Sequence, residues 1–183
     1  MDLEALAGTR LGKLVVRALA AVMESRFRYR FFGPEKILAG ADVQPGQVIL
    51  EIGCGTGYFT LPLAKLVGDQ GQLVAMDILS ESVELVTHKV QEANLSNVRV
   101  IKGDAMDTGL DDESFDLILL FGVIPAPMLP LSRLLPEIHR IVKPEGGLAI
   151  WPPIPGWLPK SVERSRLFEF THKRNGVSSF SRL

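Results

Sequence analysis

Val48-Ile-Leu-Glu-Ile-Gly-Cys-Gly-Thr-Gly-Tyr-Phe-Thr60 is an apolar, β-branched run that empties into three alternating glycines and then into a helical pattern. A buried strand that turns through glycine into a helix brings backbone close to a ligand, because residues without Cβ turn sharply and the first helical N–H groups lack intrahelical partners. A cofactor is therefore expected above Gly53, Gly55 and Gly57. The spacing narrows the choice. A dinucleotide fingerprint needs its third glycine at 58, which is Tyr, and a triphosphate loop needs Gly-Lys-Ser/Thr where this chain has Gly57-Tyr58-Phe59.

Outward from the loop, short β-branched runs alternate with helical patterns, the signature of a parallel sheet wound with helices. Strands are expected at Val48 to Ile52, Gln72 to Asp77, Val98 to Lys102, Phe115 to Phe121 and Gly147 to Trp151. The clearest helices are Phe59 to Leu66, Ser80 to Asn94 with Ser80 as N-cap, and Leu131 to Ile141 with Pro144 stopping the chain soon after. Pro34 suits the first turn of a short helix. Near the end, Leu167 to Arg174 and Val177 to Leu183 flank Asn175-Gly176, a strong two-residue hairpin signal that predicts an antiparallel pair at a sheet edge.

The motif series in register resembles the class I S-adenosylmethionine-dependent methyltransferases, in particular the small quinone-biosynthesis (type 11) group. Glu51-x-Gly53-x-Gly55-x-Gly57 is similar to that family's first motif. Asp77 closes the second strand where the family binds both ribose hydroxyls, and Gly103-Asp104-Ala105 follows the third strand where it grips the adenine edge. Ser114-Phe115-Asp116 and the stretch from Leu135 to Gly147, with Lys143-Pro144, resemble its fourth strand and the helix and turn before its fifth. The resemblance implies an α/β fold: a doubly wound, seven-stranded, mostly parallel Rossmann-like sheet with an antiparallel last strand. It implies S-adenosylmethionine held by Glu51, Gly53, Cys54, Gly55, Gly57, Tyr58, Asp77, Ile78, Asp104, Ala105 and Phe121. It also implies that the acceptor meets the loop after the fourth strand and N-terminal elements, with Tyr29, Val123, Ile124 and Trp151 as candidate contacts.

The loop Gly122-Val-Ile-Pro-Ala-Pro127 lacks the Asn-Pro-Pro-aromatic motif of amino-methylating relatives, and it carries no histidine where quinone-type relatives often place one. His88, His139 and His172 lie off the cofactor-facing loops, so no catalytic base is named. Cys54 reads as a small packing residue of the loop. Trp151 suits a pocket wall and edge packing equally.

Residues 1 to 33 form an expected N-terminal helical extension or lid, and 34 to 183 the cofactor-binding domain. Leu11, Leu14, Val15, Leu19 and Val22 recur at helical spacing opposite Arg10, Lys13 and Arg17, and Arg26 to Phe31 alternates cation with aromatic. The chain of 183 residues has a net charge of −1, but residues 1 to 30 carry six basic and three acidic side chains and 159 to 183 carry six and two, around an acidic middle. That balance disfavours nucleic acid as the substrate, although basic residues interleaved with aromatics could meet an RNA. A small, apolar or aromatic methyl acceptor is expected, with peripheral membrane contact through the basic amphipathic helix as a variant. A non-catalytic cofactor-binding role is the remaining alternative. One cysteine, no basic leader and no apolar stretch long enough to span a bilayer point to the cytoplasm; no metal site is expected.

Overall fold

The structure, a computed structural model, describes residues 33–124, 129–152 and 159–183. Seven strands, β1 (Val48–Ile52), β2 (Gln72–Asp77), β3 (Val98–Lys102), β4 (Phe115–Phe121), β5 (Val142–Trp151), β6 (Phe168–Arg174) and β7 (Val177–Arg182), form one sheet in the order β3-β2-β1-β4-β5-β7-β6. The first five are mutually parallel, and β7 runs antiparallel to both β5 and β6. The helices are α1 (Pro34–Leu38), α2 (Thr60–Val67), α3 (Ser80–Glu92), α4 (Leu131–Ile141) and α5 (Lys160–Arg164). This is the doubly wound, mostly parallel sheet expected from the sequence.

β1 and β4 lie in the middle, with neighbours on both sides and helices on both faces, and so read as nearly continuous apolar runs. Ile49, Leu119 and Ala149 look toward α1 and α2, whereas Leu50, Ile118 and Ile150 look toward α4 and α5. Strand order proceeds one way through β1, β2 and β3 and the other way through β4 and β5. The switch between β1 and β4 therefore opens at the carboxyl ends of the strands, where this fold class binds ligands.

No helix connects β3 to β4; residues 103–114 cross as a loop. Glu137 of α4 pins it, its Oε1 accepting from Thr108 N–H at 2.9 Å and from the Thr108 hydroxyl at 2.6 Å, and Arg140 donates to the Leu110 carbonyl at 2.8 Å. The Arg140 guanidinium holds the Glu137 carboxyl down at about 2.

Four local expectations change. Ser80 is the first residue inside α3 and not its cap: Leu79 takes the cap position and accepts from Ser82 and Val83, while the entering Leu79 N–H goes to Asp77 Oδ1 at 3.0 Å. α3 also ends two residues short of Asn94, which turns the chain with φ 52°. β5 begins at Val142, directly after α4, because Lys143 to Gly146 are absorbed as an irregularity between the pairs Phe115–Val142 and Leu117–Gly147. Asp116 closes that irregularity, taking Lys143 Nζ at 2.7 Å and the Val48 N–H at 2.7 Å. α2 is displaced by one residue from its expected start, and α5 had no sequence signal. The hairpin forms as expected, with Asn175 and Gly176 at φ 51° and 82°, the left-handed pair a tight hairpin turn needs.

The expected N-terminal helix, the Arg26 to Phe31 segment with Tyr29, and the residues after Ile124 and Pro152 lie outside the described residues. Among the described residues, no helix is long and apolar enough to cross a membrane, and no cluster of three His, Cys, Asp or Glu side chains could hold a metal ion.

Candidate functional site

The loop at the switch point is held from beneath by β2. Gly53 N–H and Cys54 N–H both donate to the Met76 carbonyl, at 2.7 and 3.1 Å, and Gly55 N–H donates to Asp77 Oδ2 at 2.9 Å. From α3, Lys89 Nζ reaches the Thr56 carbonyl at 3.0 Å. Gly53, Gly55 and Gly57 have φ of 77°, 53° and 79°, but they are glycine for different reasons. A Cβ on Gly53 would stand 2.7 Å from Val123 Cγ2, and one on Gly57 would press on Val86 at 3.3 Å. A Cβ on Gly55 would meet only the Gly53 carbonyl at 3.9 Å, so the space above Gly55 is open.

Two carboxyls lie beneath and beside this loop. Asp77 is 9% exposed, and each of its oxygens accepts one backbone N–H, which leaves each a lone pair for a pair of adjacent hydroxyls. Burial raises its pKa above the usual carboxylate value, while the Leu79, Gly55 and Ile78 amides pull it back. Glu51 is 2% exposed, and its Oε2 accepts from the Thr60 hydroxyl at 2.6 Å. Burial pushes the Glu51 carboxyl up to about 8; the Thr60 bond opposes the shift and the Asp77 charge adds to it. Burial raises the Cys54 thiol as well, so it is a neutral packing group against Ala75, Val86 and Val90 and no nucleophile.

Next to Asp77, Ile78 keeps 44% of its surface exposed, an apolar shelf suited to one face of a flat ring. Asp104 follows β3 and closes its own turn, Oδ1 accepting the Met106 N–H at 2.9 Å, with Ala105 buried behind it. On the other side of the loop, Phe59 stands between Tyr58, Phe121 and Trp151, with edge-to-face ring centroids at 5.0, 5.1 and 5.9 Å. Val123 is half-buried over Gly53, whereas Ile124 is fully buried in the core on the α4 side and lines no open surface. Trp151 also packs over the hairpin turn, 3.3 Å from where a Gly176 Cβ would be.

The structure thus brings the expected loop, Asp77, Ile78, Asp104 and Phe121 to one end of the sheet. Phe59, Thr60 and Lys89 join them without having been singled out, although Phe59 and Thr60 close the quoted stretch. His88 pairs with Glu92, His139 bonds the Leu183 carbonyl and His172 approaches Asp42, each away from the loop. Surface grooves lined by Thr87 and Val98, and by Gln47 and Lys143, lie at the sheet's outer edge and at its amino ends.

The residues present fit S-adenosylmethionine: an open glycine floor, a carboxylate with two free lone pairs for a ribose diol and an apolar shelf beside it for the adenine. Fold and site together define a class I S-adenosylmethionine-dependent methyltransferase. The family described as "Methyltransferase domain" matches residues 49–146, more than half of the chain, and the chain belongs to it. Among curated proteins, it is 35% identical over 120 residues to the demethylmenaquinone methyltransferase of Listeria welshimeri, covering 63% of this chain and 50% of that one. It is 32% identical over 117 residues to that of Staphylococcus carnosus, covering 63% and 46%. The chain thus spans about half the length of the curated relatives it matches. Among solved structures, a SAM-dependent methyltransferase from Aquifex aeolicus superposes with a TM-score of 0.75 at 25% identity, covering 90% of this chain and 94% of that one.

Proposed function

We propose that the protein transfers a methyl group from S-adenosylmethionine to a small apolar or aromatic molecule, with a quinol-type ring as the acceptor class. The observation that carries this reading is the half-buried pair Trp151 and Val123 beside the glycine loop, backed by the buried ring cluster of Tyr58, Phe59 and Phe121; the names of the curated relatives support it. When bound, the cofactor supplies an electrophilic methyl group on a sulfonium.

The chain's own part is positioning. Asp77 and the glycine floor fix the donor end, while half-buried Trp151 and Val123, backed by the buried rings behind them, hold a flat acceptor in line. Alignment of this kind provides much of the rate of a displacement whose donor is already activated. Residues 1–33 serve as a lid. Support for this comes from α1, where Asn175 Nδ2 donates to the Lys36 carbonyl at 2.8 Å, so the extension joins the fold beside the hairpin turn, at the carboxyl end of β5. The basic amphipathic pattern of the extension suits peripheral contact with a membrane that dissolves such an acceptor.

Radiolabelled methyl transfer to a short-chain naphthoquinol and, in parallel, to total RNA tests the acceptor class. Label is expected in the organic extract. Label in RNA alone, falling steeply with salt as phosphate contacts require, would overturn the reading.

A further inference from the structure

Glu51 and Asp77 are two buried acids on adjacent strands beneath one loop, and among the described residues no cation hydrogen-bonds or ion-pairs with either. Glu51 points from β1 toward α2, between its register neighbours Ala75 of β2 and Leu119 of β4, neither of which can hydrogen-bond or neutralise it through its side chain. Its Oε2 is taken by the Thr60 hydroxyl; its Oε1 has no hydrogen-bond partner among the described residues. The titratable groups that act on it are Asp77 from β2 and Cys54 from the loop; Lys89 from α3 directs its ammonium to the Thr56 carbonyl. A carboxyl with no cation partner stays protonated until positive charge arrives, because desolvation penalises its ionised form and a nearby cation favours it.

We propose that Glu51 senses the charge of the ligand on the glycine loop, keeping its proton over a neutral thioether and releasing it to solvent when a sulfonium is bound. This rests on the cofactor reading above. The proton balance is simple: the carboxylic acid becomes a carboxylate and one proton passes to the buffer, then returns once the ligand's sulfur is neutral. Glu51 acts through charge and touches no reacting atom, so it is a positioning residue. It favours the donor with its sulfonium over the spent thioether; both carry the same amino-acid ammonium and carboxylate, so the methyl group and the charge on sulfur are all that differ. The raised Glu51 pKa of about 8 sets the range in which this exchange is seen.

Titration calorimetry of the full chain with S-adenosylmethionine and with S-adenosylhomocysteine, in buffers of different ionisation enthalpy, reads the released proton directly. At pH 7 the sulfonium ligand is expected to release most of one proton and the thioether almost none. Affinity for the sulfonium ligand should tighten up to tenfold per pH unit between pH 6 and 8, while affinity for the thioether stays flat. Glu51→Gln should abolish both the proton release and the pH slope for the sulfonium ligand. Thr60→Val, which removes the hydroxyl that favours the ionised form, should move the window to higher pH. Equal proton release with both ligands, or a slope that survives in Glu51→Gln, would overturn the proposal. Failure of either ligand to bind the native chain would overturn the cofactor reading, and this inference with it.

Discussion

Alanine at Gly53 and at Gly55 should fail in opposite ways. Both positions have positive φ, 77° and 53°, where an L residue costs about 1–2 kcal/mol, partly offset by about 0.4–1 kcal/mol from a stiffer unfolded chain. At Gly55 nothing further is added, since the new methyl would enter open space. Gly55→Ala should therefore lose only about 0.5–1 kcal/mol of stability yet lose cofactor affinity, because the proposed function puts the ligand in that open space. At Gly53 the methyl would lie 2.7 Å from Val123 Cγ2 and force a repacking worth about 1–3 kcal/mol more. Val123→Ala removes the clash, so a double-mutant cycle in urea should show about 1–2 kcal/mol of favourable coupling between the two substitutions. Equal stability losses at the two glycines, unchanged cofactor affinity in Gly55→Ala, or no coupling between Gly53→Ala and Val123→Ala would refute this division of roles.

Asp77→Ala should weaken S-adenosylmethionine binding by about 1.5–3 kcal/mol, read by calorimetry, since a charge-assisted pair of hydrogen bonds is lost; undiminished affinity would remove Asp77 from the site. The Glu51 carboxyl has a folded value of about 8 against an ordinary 4.5, so the native state holds a proton that the unfolded chain has given up across that range. Stability should therefore fall as pH rises from about 4.5 to 8, by up to about 1.4 kcal/mol per unit from this group, and Glu51→Gln should flatten that part of the urea-midpoint profile. Removing residues 1–32 should spare cofactor affinity and circular dichroism while abolishing methyl transfer; full activity of the truncated chain would rule out the lid.

β1, β2 and β4 were legible in the sequence because strands buried on both faces leave apolar runs, and β3, half-exposed at the sheet edge, was legible from its β-branched Val98, Val100 and Ile101. The hairpin was legible for a local reason too, since Asn175-Gly176 adopts the turn its own residues favour. What could not be read depends on partners far along the chain. Asp77, not Ser80, meets the chain entering α3 because β2 places that carboxylate there. The strand before Gly147 exists because Asp116 ties Lys143 and Val48 together across the sheet. Similarly, the reason for glycine at 53 lies 70 residues away, on Val123, and emerges only when β1 and β4 are neighbours. Phe59 shows the same limit: it was expected to open the helix and caps it instead, and its place at the centre of the ring cluster requires β4 and β5 to end side by side.

A crystal structure of the chain with S-adenosylhomocysteine tests the central claim most directly. The account predicts density over Gly53 to Gly57, with the ribose hydroxyls on the Asp77 carboxylate, the adenine between Ile78 and Asp104, and the sulfur facing the wall of Tyr58, Phe121 and Trp151. A ligand bound at another end of the sheet, or a ribose that leaves Asp77 untouched, would contradict it.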